Sequence, residues 1–535
     1  MSAYDFPLLI KQLLLAPLAH RSTTEIVYRG RRFGYPMLRE RIGRLGSTLC
    51  GLGVQRGDTV AVMDWDSHRY LECYFAIPMI GAVLETVNVR FSKEQLIYCL
   101  NHAEASVLIC NLEFLPIIDA IRSELTGISK IIWASDSGPL PAGLAGEGEY
   151  EDVIARGDPA HPFPDFDENT RATIFYTTGT TGLPKGVTFT HRQLVLHTLA
   201  TSATLGIKRE TVYMPMTPMF HVHAWGLPYV ATLAGCKQVY PGRYLPDALL
   251  GLIRDERVTF THCVPTILQM LLAAPGSEKI DLNGLRMIVG GSALPRALCE
   301  AALARGIDAF TGYGMSETCP LLAVAALHPQ TPRDLEHEIQ TRMKAGHSLP
   351  LVDLRIVDFD MNDVAHDGIA TGEIVARAPW LTQVYYKNPA ATDVLWGGGF
   401  LHTQDIGTID SEGNVQITDR LKDLIKTGGE WVSSLELESI IGNDPDVAEV
   451  AVIGLPDPKW GERPAAVVVA RAGVTLHAAD IKARVMRLAD VGVVPKYAVP
   501  AHVFFLAELP KTSVGKLDKK VLRQVFSSVS FVEAV

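Results

Sequence analysis

The chain has 535 residues, 47% hydrophobic and 20% charged, an ordinary globular composition on a chain longer than one hydrophobic core usually serves. Its formal net charge of −10 argues against a broad nucleic-acid or anionic-membrane surface, so an anionic ligand has to meet local positive groups. Eight cysteines lie scattered with no C-x-x-C spacing, which argues against a zinc ribbon or disulfide framework and fits a reducing cytoplasm.

In chain order, MSAYDFPLLIKQLLLAPLAH has no basic n-region and is interrupted by Asp5 and Lys11. It reads as a docked amphipathic helix rather than a signal peptide. The spacing in YPMLRERIGRLGSTLCGLGV predicts a helix closed by glycines, and DTVAVMDW, SVLICN and KIIWAS predict short buried strands. This alternation over residues 1–170 predicts α/β structure with a parallel sheet. The apolar run 73–84 is too short to span a bilayer, and a soluble cytoplasmic protein with no integral membrane segment is expected. Residues 137–170, rich in Gly, Pro, Asp and Glu, predict a surface connection.

RVTFTHCVP and LRMIVGGSALP continue the α/β pattern. From about residue 350, VDLRIVDFDMNDVAHDGIATGEIVARAP predicts a β-rich subdomain. Residues 421–535 carry fourteen basic and fourteen acidic side chains, so the negative charge lies on the first 420. Within that tail, residues 482–523 hold nine Lys/Arg against three Asp/Glu. The expected organisation is an N-terminal domain over 1–420 and a small α+β domain over 421–535 with one basic side.

The stretch TIFYTTGTTGLPKGVT (173–188) places glycines and threonines between two extended segments. Gly179, Gly182 and Gly186 free the backbone for close approach to an anion, threonine hydroxyls add donors, and Lys185 supplies a point charge. The spacing is not a Walker A motif, because Pro184 stands where that motif needs its second glycine. A phosphate loop of another kind and a flexible connector both remain open on these residues. GYGMSET (312–318) joins glycines to hydroxyls, and its Glu317 suits Mg2+, which takes few protein carboxylates and several waters. The same stretch fails the G-x-S-x-G hydrolase elbow at Thr318.

Asp405, after a turn in HTQDIGTID, suits either ribose hydroxyls or a simple turn role. DRLKDLIKTGGEWVSSLELE brings Arg420, Lys422 and Lys426 to a glycine turn, and Ser433 with Glu436 predicts a capping box. PKTSVGKLDKK holds Lys516 on a Thr/Ser/Gly loop. His221 and His223 lack a third ligand at zinc spacing. HEIQT breaks the H-E-x-x-H pattern, and DFDMND lacks the glycine of a calcium loop.

Taken together and in this order, these segments resemble the AMP-forming acyl-CoA synthetases of the adenylate-forming superfamily over nearly the whole chain. PMFHVHAW and KTGGEWVSS are most similar to the fatty-acid-activating branch. The resemblance implies a large N-terminal domain of α/β sandwich subdomains plus a β-rich subdomain, with a small mobile C-terminal α+β domain. It also implies activation of a carboxylic acid by ATP and transfer of the acyl group to CoA, with Mg2+ as cofactor. The acid expected is a short- to medium-chain aliphatic one, with methylthio-alkanoate, branched-chain and aryl acids, or a carrier protein in place of CoA, as alternatives.

The site residues follow from the same resemblance. Lys516 and Glu317 are the implied catalytic residues. Thr177, Thr178, Gly179, Thr180, Thr181, Gly182 and Lys185 hold phosphates. Gly291, Gly312, Tyr313, Ser316, Asp405, Arg420, Lys426 and Trp431 bind the nucleotide. His221, Trp225 and Gly290 shape the acyl pocket, Thr177 and Glu317 hold the metal, and Lys422 is the hinge. A homodimer is expected by analogy, as is reversible acetylation of Lys516 by an acetyltransferase and deacetylase.

Overall fold

The computed structural model describes residues 4–20, 23–177, 183–327, 334–428, 430–512 and 517–526. The strand Thr59–Met63, buried throughout, lies inside a seven-stranded sheet between Val83–Thr86 and Ala105–Asn111, parallel to both. Lys130–Ala134 and Gly148–Glu149 extend the sheet on one side and Arg171–Thr177 on the other, again in parallel. The edge strand Lys185–Thr190 returns antiparallel to Arg171–Thr177. Parallel strands covered on both faces read as continuous apolar runs, which is why these segments are legible in the sequence.

A nine-stranded sheet runs in the order His347–Ser348, Leu321–Val324, Asp308–Gly314, Arg286–Gly290, Phe260–Cys263, Val212–Pro215, Lys237–Tyr240, Glu25–Tyr28, Arg31–Gly34. Its middle, from Asp308–Gly314 to Glu25–Tyr28, is parallel. Residues of both sheets belong to one hydrophobic core. The helix His68–Met79 is buried at every residue although it carries His68, Arg69 and Glu72, so its charges need partners. It is capped by Ser67, and its Tyr74 stacks on Tyr229 at 5.3 Å. Its one carboxylate, Glu72, is matched by Arg41 at 2.7 Å and by the Tyr150 hydroxyl at 2.7 Å.

The expected β-rich subdomain is an antiparallel sheet of Asp353–Val357, Gly372–Arg377, Phe400–Ile409, Trp396–Gly397 and Val415–Arg420. From Ile425 onward a further sheet joins Glu430–Val432, Ile425–Thr427, Gly461–Ala470, Val447–Asp457 and His502–Phe505. The helices Ser434–Gly442, Ala478–Asp490 and Lys519–Phe526 accompany it. Its two faces have separate cores, one around Leu437, Val452 and Ile481 and the other around Ile453, Leu455 and Leu522. The molecule is thus a large N-terminal α/β domain followed by a smaller domain of strands and helices.

Three segments differ in detail from expectation. The N-terminal stretch docks through buried Ile10, Leu13 and Leu14, but as a 3-10 turn, Ile10–Leu14, followed by a short helix, Leu15–Ala19. Pro17 has no amide to offer the Leu13 carbonyl, which disfavours one continuous helix at this point. The connection 137–170 contains an edge strand and the helix Tyr150–Ile154, whose Tyr150 is buried. Of the capping box, Ser433 accepts from the Glu436 amide at 3.1 Å, while no reciprocal bond from the Glu436 carboxylate forms among the described residues. Among the described residues no helix is long and apolar enough to cross a membrane.

Candidate active site

The glycine- and threonine-rich loop joins the paired strand ends Thr177 and Lys185, at the carboxyl edge of a parallel strand where α/β sheets bind ligands. Residues 178–182 lie outside the described residues, as does Lys516. Lys185 places its ammonium 4.7 Å from the Tyr385 ring centre. The Tyr385 hydroxyl donates to Glu317 Oε1 at 2.7 Å. Residues 382–386 clasp the strand that follows the loop, Lys185–Thr190. The Tyr386 amide donates to the Gly186 carbonyl at 2.8 Å, and the Thr382 hydroxyl donates to the Thr188 carbonyl at 3.0 Å. The Thr382 amide donates to the Glu317 carbonyl at 2.9 Å, so one segment ties the loop's exit strand to the turn that carries the carboxylate.

Burial and the neighbouring Glu317 raise the Tyr385 phenol, so it stays a donor to the carboxylate. Glu317 is 6% exposed and sits in the short turn Ser316–Thr318 after the strand Asp308–Gly314. A buried carboxylate suits Mg2+, which takes few protein carboxylates, with water and phosphate oxygens completing the shell. Among the described residues no group of three His, Cys, Asp or Glu side chains is placed to hold a metal by itself.

Successive strand ends of the nine-stranded sheet surround a cavity of about 80 Å3. Thr217 follows Val212–Pro215, Val264 follows Phe260–Cys263, Gly291 follows Arg286–Gly290, and Gly312 and Ser316 come from the last parallel strand and its turn. His221 and Trp225 line the same cavity, as do Arg90 and Tyr244, which the sequence motifs do not include. Gly290 lies behind Trp225: a Cβ there would come within 2.9 Å of the indole and 2.7 Å of the Gly312 carbonyl oxygen. The indole also tilts against His262 at 5.0 Å.

Trp225 reaches this position through a left-handed turn. Val222, His223, Ala224 and Trp225 have φ of 45°, 56°, 47° and 60°, a conformation that costs about 1–2 kcal/mol at each non-glycine residue. Gly226 completes the turn at φ 72°, where a Cβ would meet the His197 ring at 2.9 Å. Three bonds hold the approach to the turn. Asp66 accepts from the Met219 amide at 2.9 Å, Tyr74 donates to the Met219 carbonyl, and Thr86 donates to the Phe220 carbonyl at 2.9 Å. His223 points elsewhere than His221: it packs edge-on against Phe175 at 5.2 Å, and burial pushes it down to about 3, so it is neutral.

Tyr313, Asp405 and Arg420 form one chain of contacts. The Tyr313 hydroxyl donates to Asp405 Oδ2 at 2.9 Å, and Arg420 Nε lies 3.3 Å from Asp405 Oδ1. Asp405 and Arg420 are direct partners across antiparallel strands, which is how residues fifteen apart come to face one another. Burial and Asp405 keep the Tyr313 phenol well above its ordinary range. Lys422 sits in the turn after Arg420, where the Asp423 and Leu424 amides both donate to the Arg420 carbonyl. Lys426 and Trp431 are opposed on a hairpin, with the ammonium 5.4 Å from the indole centre and the indole 48% exposed. They pair with each other rather than with the Tyr313–Asp405–Arg420 chain.

Comparison with known proteins gives this arrangement a family. The family described as AMP-binding enzyme matches residues 16–386, and its C-terminal domain matches residues 436–516. The chain is 41% identical over 504 residues to a long-chain-fatty-acid–CoA ligase of Thermus thermophilus, covering 93% of this chain and 91% of that one. It is 39% identical over 498 residues to a 3-methylmercaptopropionyl-CoA ligase of Ruegeria pomeroyi, covering 91% and 90%. Among solved structures it resembles an anthranilate CoA ligase in complex with anthranoyl-AMP, with a TM-score of 0.86, 25% identity and coverage of 98% and 99%. The chain belongs to the AMP-binding enzymes, as an AMP-forming acid–thiol ligase.

Proposed function

We propose that the protein activates a short- to medium-chain aliphatic acid, with methylthio-alkanoate, branched-chain and aryl acids as the alternatives. The cavity lined by Trp225 carries this reading. It is small, about 80 Å3, and bounded on one side by an indole seated on Gly290, which favours a short chain over a long one. The 3-methylmercaptopropionyl-CoA ligase relative supports a short acid bearing a thioether as the first alternative.

In the first half-reaction the acid's carboxylate attacks the α-phosphorus of ATP. Pyrophosphate leaves, and an acyl-adenylate remains. In the second, the CoA thiol attacks the acyl carbon, the thiol proton is lost, and AMP leaves as the thioester forms. Negative charge builds on the α-phosphoryl oxygens in the first transition state, so a cation fixed there lowers the barrier. Lys516 is the residue proposed for that role, on the resemblance of PKTSVGK. Thr177, the loop residues 178–182 and Lys185 hold the leaving phosphates, while Asp405 and Arg420 grip the ribose and Tyr313 steadies Asp405.

Mg2+, when bound, neutralises charge on the phosphates, and Glu317 with Thr177 would hold it. The domain boundary near residue 420, rotation of the smaller domain about Lys422, a homodimer, a cytoplasmic location and acetylation of Lys516 belong to the same proposal. The test is AMP release by purified protein with Mg·ATP and acids from acetate to palmitate, including branched, methylthio and aryl members, each with and without CoA. Turnover requiring both a short or medium acid and CoA is expected. A clear preference for palmitate or for aryl acids would overturn the substrate assignment.

A further inference from the structure

Behind the cavity wall lies a carboxyl group that the mechanism above does not use. Asp66 is 2% exposed and belongs to the segment between the strand Thr59–Met63 and the helix His68–Met79. One oxygen accepts from the Met219 amide at 2.9 Å, and the other accepts from the Tyr244 hydroxyl. Its backbone also bridges to Gly242, whose amide donates to the Asp66 carbonyl at 2.9 Å. Asp66 therefore touches both sides of the cavity: the approach to the turn that presents Trp225, and the loop that presents Tyr244.

We propose that Asp66 is a positioning residue for the acyl chain, fixing two walls of the cavity through Tyr244 and the Met219 amide and so setting which acids fit and how tightly. This rests on the reading of the cavity as the acyl pocket. Asp66 meets no substrate itself; it acts through Tyr244 and Trp225.

The clamp is also sensitive to pH. Burial pushes Asp66 up to about 7, against the bonds from Tyr244 and Met219 and the attraction of Arg90, with repulsion from Asp64 adding to the rise. Asp64 and Arg90 are the charged groups acting on it. The phenols of Tyr70, Tyr74, Tyr213, Tyr240 and Tyr244 also feel it, and all of them are raised well above their ordinary range. Below about pH 7 the clamp is a neutral acid; above it, an anion with charge-assisted and stronger bonds. The substrate's own carboxylate is ionised throughout this range, so tightening of the clamp lowers the KM for the acid as pH rises from 6 to 8. His221 lines the same cavity, so the difference between wild type and variant, not the wild-type slope, is diagnostic.

The experiment measures KM and kcat for hexanoate, and relative rates with butyrate to octanoate, at pH 6 to 8 in wild type, Asp66→Asn, Tyr244→Phe and Trp225→Ala. Asp66→Asn keeps the size and removes the titration; Tyr244→Phe removes one bond, and melting curves confirm folding. Tyr244→Phe is expected to raise the KM for hexanoate about fivefold, the worth of one ordinary hydrogen bond, with the KM for ATP within twofold of wild type. Asp66→Asn is expected to flatten the pH dependence of the hexanoate KM. Should Asp66→Asn not fold, the pH slope of the hexanoate KM in Tyr244→Phe decides: because Tyr244 itself lines the cavity, a raised KM with the wild-type slope would overturn the clamp, and a changed slope would support it. Wild-type KM values, pH slope and chain preference in both variants, with Trp225→Ala altered, would overturn the clamp and leave the acyl pocket standing. No change in Trp225→Ala as well would overturn both.

Discussion

At the scale of single residues, Glu317 stands out by its surroundings. It is buried, yet its Oε1 is met by a phenol that burial keeps protonated. A hydrogen bond to a charged group contributes about 1.5–3 kcal/mol, and the same Tyr385 ring lies under the Lys185 ammonium. Tyr385→Phe is therefore expected to cut the rate of acyl-adenylate formation by about tenfold or more and to raise the Mg2+ concentration for half-maximal rate. Pyrophosphate exchange across a Mg2+ titration measures it. Glu317 was legible because GYGMSET joins a carboxylate to glycines and hydroxyls. Tyr385 was not, since it arrives from 68 residues away on a segment without motif character.

At the scale of elements, the turn after Val415–Arg420 links the β-rich sheet to the sheet that begins at Ile425. Arg523 of the last described helix reaches this turn, pairing with Asp423 at 2.6 Å. Among the described residues the Lys422 amide donates no backbone hydrogen bond, so proline there removes none and stiffens the link. Lys422→Pro is expected to form acyl-adenylate at near wild-type rate and to lose thioester formation by about tenfold or more. Lys516→Ala is expected to do the reverse when acyl-adenylate is supplied. Separate assays of the two half-reactions test this, and equal losses in either variant would refute rotation about Lys422.

At the scale of the whole molecule, four buried histidines set the response to acid. His191, His197, His223 and His262 are each pushed down to about 3 by burial. The unfolded chain takes up their protons as pH falls through about 6.5, and the folded one does not, so stability is lost on acidification. Asp66, Glu85, Asp419, Glu436 and Glu438 are raised by burial and act in the opposite sense, so the histidine share is read by difference. Each buried neutral histidine is expected to contribute about 1.4 kcal/mol of loss per pH unit below about pH 6. Urea unfolding of wild type and His197→Gln between roughly pH 6 and 4.5 measures it, and equal slopes in the two would contradict a buried neutral His197.

The sequence by itself determined the layered α/β architecture and the family, because buried parallel strands must be apolar runs and phosphate-binding segments must combine glycine, hydroxyl and charge at fixed places. Glu317, Asp405 and Arg420 were singled out as candidates for that reason: each stands in a local motif. The tertiary structure decided how they meet, since pairing across strands brings Asp405 to Arg420 and distant segments bring Tyr385 to Glu317 and Asp66 to Tyr244. A buried carboxyl's charge depends on what folding places around it, and that information is spread over residues far apart in the chain.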